Sequence, residues 1–244
     1  MALHFVDDAA GSARPGDLVT LTGAEAHHAA AVRRVRVGEA VTLGDGRGTW
    51  LSGVCASVAP REVVVEVTER RDDPAPSRRV ALVQALAKGD RDELAVQAAT
   101  ELGVDEVVPW QAARSVSRWD AAKAEKGRAR WATIAREAGK QAHRSWLPEV
   151  TGVVSTRDLV QRARTAHLLV LEPTASLALT TLDLHGDDRD VLLVVGPEGG
   201  ISAEELQQLD AAGATLVRLG DTVLRTSTAG PAALALVNTA LGRW

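Results

Sequence analysis

The stretch Val191-Leu192-Leu193-Val194-Val195-Gly196-Pro197-Glu198-Gly199-Gly200-Ile201-Ser202 decides the fold class. Five apolar residues end at a glycine and proline, as in a strand buried on both faces. A Gly-rich turn follows. Ser202 with Glu205 three residues on is a capping box that starts a helix. Strand, turn and helix in this order are one half of an α/β unit. Gly199 and Gly200 let backbone approach a ligand closely. The turn matches neither the Walker nor the dinucleotide fingerprint. A carboxylate at Glu198 would repel phosphate, so the loop suits a neutral or cationic ligand. A turn that merely joins strand to helix is the other reading.

Working outward, His167–Leu171 and Thr215–Leu219 are similar apolar runs bounded by turn residues. Val80 to Ala87 and Val104 to Trp110 add two more. Helical stretches are expected at Asp90 to Leu102, 120–144, Thr156 to Arg164, 202–212 and about 227–241. Strands alternating with helices predict an α/β domain with a parallel sheet. The last helix, Ala232 to Leu241, is apolar on nearly all faces, which implies burial in a core or a subunit interface. Ligands in such sheets bind beyond the carboxyl ends of the strands. The loops from Glu172, Gly196 and Leu219 all leave such ends. Arg225 follows the third, as a cation beside the crevice or as one half of a surface ion pair. The hydroxyls at 226–228 are candidates to cap the last helix.

The N-terminal part has a different period. Val19–Leu21, Ala40–Leu43, Trp50 to Val58 and Glu62 to Thr68 are short β-like segments separated by Gly44-Asp45-Gly46 and Ala59-Pro60. They predict a small barrel or sandwich, interrupted by one helical patch, Gly23 to Val35. Asp72-Asp73-Pro74-Ala75-Pro76-Ser77 reads as a linker. The domain boundaries expected are 1–73, a linker at 74–78, and 79–244.

The chain has 244 residues and a net charge of −4. Apolar residues at 45% and charged residues at 25% exclude a disordered or collagen-like chain. Cys55, the only cysteine, is expected to be a small buried apolar residue. No paired-ligand spacing among the six histidines points to a metal. The N-terminus lacks a basic start followed by an apolar run, and no run is long enough to span a bilayer. A cytoplasmic protein without membrane contact is expected.

The charge is uneven. Residues 1–76 carry −3, 77–109 carry −2, 110–148 carry +6 and 149–244 carry −5. The basic segment also holds Trp110, Trp119, Trp131 and Trp146. Basic side chains neutralise phosphates, and aromatic planes stack on bases. A solvated basic helix face with tryptophans used for packing is the alternative, and for each tryptophan taken alone it is the better reading. His27, His28, Arg33, Arg34 and Arg36 form a second basic cluster.

Many short motifs run nearly end to end: His27-His28 with Val32-Arg33-Arg34-Val35, Lys88-Gly89-Asp90, Thr100-Glu101-Leu102-Gly103-Val104, Arg114-Ser115, Arg130-Trp131, Glu137-Ala138 with Gln141 and Arg144, Gly196 to Gly200, Leu224-Arg225-Thr226 and Thr228-Ala229. In this order and spacing the chain resembles the RsmE family, uracil-N3 methyltransferases of small-subunit ribosomal RNA in the SPOUT class.

The resemblance implies a PUA-like β-barrel followed by a SPOUT α/β methyltransferase domain with a deep trefoil knot. It implies a homodimer, S-adenosylmethionine as cofactor, and 16S ribosomal RNA or the assembled small ribosomal subunit as partner. By the same resemblance the cofactor is surrounded by Leu171, Glu172, Pro173, Gly196, Pro197, Glu198, Gly199, Gly200, Ile201, Leu219, Gly220, Val223 and Leu224. Arg225 is the expected catalytic residue. Resemblance and charge together assign RNA to His27, His28, Arg33, Arg34, Arg114, Arg130, Arg136, Gln141 and Arg144. Family members usually carry Glu where this chain has Ser227, and often Lys where it has Ala98. Two other functions stay open: methylation of another RNA position, such as a ribose 2′-hydroxyl, and RNA binding without catalysis.

Overall fold

The computed structural model describes residues 2–244, which fall into two units. The first takes the chain up to Ala75 and also Gly139–Leu147. The second takes Pro76–Ala138 and Pro148–Trp244. The contiguous boundaries expected from sequence put 139–147 with the second domain, and the structure groups them with the first. The cause is long-range. Gly48 N donates to Ser145 O at 2.9 Å, and Leu147 N to Gly46 O at 3.0 Å. Trp146 Nε1 donates to Asp73 O at 3.0 Å.

The first unit contains β1 (Leu3–Val6), β2 (Leu18–Thr22), α1 (Gly23–His27), a π-turn (His28–Val32), β3 (Ala40–Gly44), β4 (Thr49–Ala59) and β5 (Glu62–Asp72). The five strands form one sheet in the order β1-β3-β4-β5-β2. β1 runs parallel to β3, and the other pairings are antiparallel. β2 alternates exposed and buried along its length, the mark of a sheet with one face on the core. That core contains Phe5, Leu21, Leu43, Leu51 and Val65, with Cys55 buried among them. β4 and β5 slip register at Ser52/Gly53 and at Cys55/Ser57, which bends the strands. Gly53 is required at the first slip, because a Cβ there would lie 2.6 Å from Val65 Cγ1 and 2.7 Å from Glu66 O.

The second unit contains β6 (Val80–Ala85), α2 (Arg91–Glu101), β7 (Glu106–Trp110), α3 (Ala121–Gln141, whose last three residues group with the first unit), β8 (Glu149–Val150), α4 (Thr156–Arg162), β9 (His167–Leu171), β10 (Val191–Val195), α5 (Ala203–Ala211), β11 (Thr215–Val217) and α6 (Thr226–Ala240). The six strands form a sheet in the order β11-β9-β10-β6-β7-β8, with every pairing parallel. Leu193 of β10 pairs with Leu82 and Leu169 on either side, and all three point into one core. Their neighbours Leu192, Ala81 and Leu168 point into the core on the other face. Both faces are covered, which is why these strands read as continuous apolar runs. Truncating one such residue, as in Leu193→Ala, costs about 2–5 kcal/mol.

α6 packs against α2 and lies over β6 and β10. Gly230 permits the close approach: a Cβ there would lie 2.7 Å from Leu82 Cδ1. Asn238 Nδ2 donates to Leu102 O at 2.7 Å. The apolar C-terminal helix is therefore a core helix of its own unit, with Leu236 still 37% exposed. No helix among the described residues is long and apolar enough to cross a membrane.

Candidate active site

All strands of the second unit are parallel, so the carboxyl ends of β9, β10 and β11 face the same way. Beyond them lies a cavity of about 480 Å³, within the range of small-molecule sites. It is lined by Leu171, Glu172 and Pro173 after β9, by Gly196, Pro197, Glu198, Gly200 and Ile201 after β10, and by Leu219, Val223, Leu224 and Arg225 after β11. Two of the residues expected there, Gly199 and Gly220, are not in the lining. Arg91, Val195, Val217, Thr222, Thr226 and Ala229 are, and none of these was expected at the cofactor.

The glycine-rich loop is shaped by its own sequence. Gly200 N donates to Pro197 O at 2.9 Å, closing a four-residue turn. Gly200 has φ +71°, which glycine adopts without strain. A Cβ on Gly196 would lie 2.7 Å from Ile201 Cγ1, so the loop can fold Ile201 back only because residue 196 is glycine. The capping box forms: Glu205 N donates to Ser202 Oγ and Ser202 N to Glu205 Oε2, both at 3.2 Å. Glu205 Oε1 also accepts from Ala113 N at 2.9 Å and Thr156 Oγ1 at 2.7 Å, which fixes two further segments beside the loop.

Glu198 does not face the cavity as a bare carboxylate. Its Oε1 accepts from Lys88 N at 3.0 Å and from Arg91 Nη1 at 2.7 Å. Burial works against its charge, but hydrogen bonds from its own and the Lys88 backbone N–H and from Arg91 outweigh that and hold its carboxyl below the usual range. Arg91 shares that charge, so the carboxylate is not presented alone to a ligand. Its visible work is to tie the glycine-rich loop to Lys88-Gly89-Asp90.

Thr226 departs from its expected capping role in the same way. The N-cap of α6 is Arg225, and no side chain caps it. The Thr226 hydroxyl donates instead to Gly196 O at 2.9 Å and accepts from Gln84 Nε2 at 2.8 Å. Thr226 and Gln84 are buried, so this chain of bonds pins Arg225 over the cavity. Arg225 is exposed and makes no ion pair among the described residues, which removes the reading of it as half of a surface salt bridge.

The basic residues separate into groups. Arg114 Nη1 donates to Gly199 O at 3.2 Å, so it touches the glycine-rich loop. Arg130 is held in a two-pronged ion pair with Glu93, one contact at 2.7 Å. Arg136 is half-buried on α3. In the first unit His27, Arg33 and Arg34 are exposed, Arg144 is half-buried, and His28, Arg33 and Gln141 line a cavity of their own. Three tryptophans of the basic segment are packing residues. Trp110 and Trp131 are 0% and 1% exposed, and Trp119 meets the Trp131 ring edge-on at 5.4 Å. Among the described residues no group of His, Cys, Asp and Glu is placed to hold a metal ion.

Residues 73–238 match a family model described as an RNA methyltransferase domain, and residues 21–68 match an RNA methyltransferase PUA domain. A ribosomal RNA small subunit methyltransferase E from Mycobacterium tuberculosis is 43% identical over 94% of this chain and 89% of its own length. The chain belongs to the ribosomal RNA small subunit methyltransferase E family. The Bacillus subtilis member is 32% identical over 98% of this chain and 96% of its own. Among solved structures, the Neisseria gonorrhoeae member bound to S-adenosyl methionine has a TM-score of 0.87 at 28% identity, covering 98% of both chains. A Legionella pneumophila protein solved with bound cofactor SAM has a TM-score of 0.89 at 29% identity, also over 98% of both chains.

Proposed function

We propose that this protein transfers a methyl group from S-adenosylmethionine to N3 of one uridine in 16S ribosomal RNA. The observation that carries the reading is a guanidinium without an ion pair among the described residues, Arg225, held over a cavity at the carboxyl ends of three parallel strands in a member of this family. The lining suits the cofactor: apolar side chains at Leu171, Ile201, Leu219 and Leu224 for the adenine, and the Glu172 carboxylate as an acceptor for hydroxyls. Thr174 already orders that carboxylate, donating from its hydroxyl to Oε1 at 2.8 Å.

The cofactor supplies an electrophilic methyl group on a sulfonium. The chain's own residues do the rest. Uracil N3 must give its proton to solvent before its electron pair can form the new bond, and the negative charge left on the ring spreads to O2 and O4. Arg225 stabilises that charge. The glycine-rich loop and the Leu219–Leu224 loop hold the reactants in line and exclude water. Ser227, half-buried beside Arg225, is a hydroxyl and no substitute for a carboxylate base.

RNA is held by His27, His28, Arg33, Arg34, Arg114, Arg136, Gln141 and Arg144, with Arg130 contributing only if it exchanges Glu93 for phosphate. Contact with about six phosphates gives a log–log salt slope of roughly −4 on single strands. The same reading carries a first unit closed into a PUA-like barrel, a trefoil knot in the second unit, a homodimer, and a cytoplasmic location beside the ribosome. Supporting it are the family match and the strand order, in which β10 lies between β6 and β9 and β11 lies outside β9.

Calorimetry with S-adenosylmethionine tests the reading. Binding at one site per cavity is expected. An absence of binding would leave an RNA-binding module without catalysis, the second reading that Ser227 motivates.

A further inference from the structure

Four charged side chains line the cavity at the strand ends: Arg91, Glu172, Glu198 and Arg225. The proposed transfer gives two of them work. Glu172, ordered by Thr174, accepts from hydroxyls, and Arg225 stabilises charge on the RNA base. Arg91 and Glu198 remain, and adenine needs neither. They come from separate segments, the first residue of α2 and the turn after β10. Arg91 Nη1 lies 2.7 Å from Glu198 Oε1, and the two side chains are 48% and 25% exposed.

Neither partner is saturated. A guanidinium has five N–H donors. Arg91 gives one of them to Glu198, and no other acceptor meets its side chain among the described residues. Lys88 N and Arg91 Nη1 both donate to Glu198 Oε1. A carboxylate has about four lone-pair sites, so acceptor capacity remains. The depressed carboxyl keeps Glu198 ionised near neutrality. A partly exposed ion pair adds little to stability, so stability alone gives little reason to hold one in the wall of a ligand cavity.

We propose that the Arg91–Glu198 pair binds the amino-acid end of the cofactor. The α-carboxylate takes free N–H groups of Arg91, and the α-ammonium takes open lone pairs of Glu198. One carbon of the ligand carries both of its charges, and the two protein charges are in contact, so each meets its opposite. The four charges sum to zero, which leaves no unpaired charge when the cavity closes on its ligand. A ligand with only an anion in this place would meet Glu198, and one with only a cation would meet Arg91. The pair therefore selects a zwitterion over either charge alone. The inference rests on the S-adenosylmethionine reading above and specifies which residues meet which end of the cofactor.

Calorimetry on the full chain, with S-adenosylmethionine and with its decarboxylated analogue, tests it. The analogue lacks only the α-carboxylate. Wild type should bind it about tenfold more weakly, the scale of one charge-assisted hydrogen bond. Arg91→Gln should lose about tenfold for S-adenosylmethionine and almost nothing further for the analogue, so the two losses do not add. Arg91→Lys, which keeps the charge without the fork, should fall between. Glu198→Gln should show the same non-additivity with the analogue that lacks the α-ammonium. Equal losses for both ligands in Arg91→Gln would show that Arg91 acts only through the loop, and would overturn the inference. So would a carboxylate preference that survives Arg91→Gln and disappears in Arg225→Ala, which would give the carboxylate to Arg225. Wild type that binds both ligands equally overturns this inference alone. Wild type that binds neither removes the cofactor reading and this contact with it.

Discussion

Thr226 donates its hydroxyl hydrogen to the Gly196 carbonyl at 2.9 Å, which ties the first turn of α6 to the glycine-rich loop. The bond joins residues 30 apart in sequence and sets Arg225 against the cavity. Thr226→Val keeps the shape and removes the hydroxyl. It leaves the Gly196 carbonyl without this donor and Gln84 without this acceptor, which costs about 1–3 kcal/mol. We expect a matching fall in unfolding free energy, read by denaturant titration, and weaker cofactor binding by calorimetry. A variant as stable as wild type would show that the bond is replaced by water.

Arg225→Ala should lower the single-turnover rate of methyl transfer by about 10²–10³, the scale of one charge-stabilising donor. Cofactor affinity should change far less, because the guanidinium acts on charge that develops only in the RNA base. Arg225→Lys should recover part of the rate. Rates that match wild type in the alanine variant would remove Arg225 from the chemistry.

Glu198 links loop order to pH. Its carboxyl is held below the ordinary 4.5, so its contribution is fully present above that value and is lost as pH falls through the depressed folded value. Cofactor affinity should therefore be flat near neutrality and fall in acid. Glu198→Gln should abolish that acid dependence. It should also lower affinity at neutral pH about fivefold, near 1 kcal/mol for a partly exposed ion pair. An unchanged acid profile in Glu198→Gln would assign the effect to another group.

Gly127 lies in α3, where alanine would ordinarily stabilise by about 1 kcal/mol. Here a Cβ would run into the ring of Trp119, which packs on Trp131. Displacing a packed indole costs about 1–3 kcal/mol, so the clash wins. Gly127→Ala should lower the melting temperature by about 2–4 °C. A higher melting temperature would show that Trp119 yields freely.

Legibility in the sequence followed the range of the interactions. β9 and β10 lie at His167–Leu171 and Val191–Val195, where the apolar runs put them, because a strand buried on both faces needs no partner to be recognised. The capping box at Ser202 and Glu205 is equally local. β1 and β8 were missed: four and two residues long, they are too short to show a period. The place of 139–147 beside the first unit depends on Trp146 and Leu147 meeting Asp73 and Gly46, and no local pattern carries that. In the candidate site the glycine-rich loop and Arg225 were legible as loops at strand ends that line one cavity. The partners of Glu198 and Thr226 were not, because Arg91 and Gln84 are 107 and 142 residues away from them.

The most direct test of the central claim is a mass-spectrometric modification map of 16S ribosomal RNA from cells lacking this protein. The account predicts loss of one N3-methyl group from one uridine, restored by the wild-type chain and not by Arg225→Ala. A map identical to that of the parent strain would contradict it.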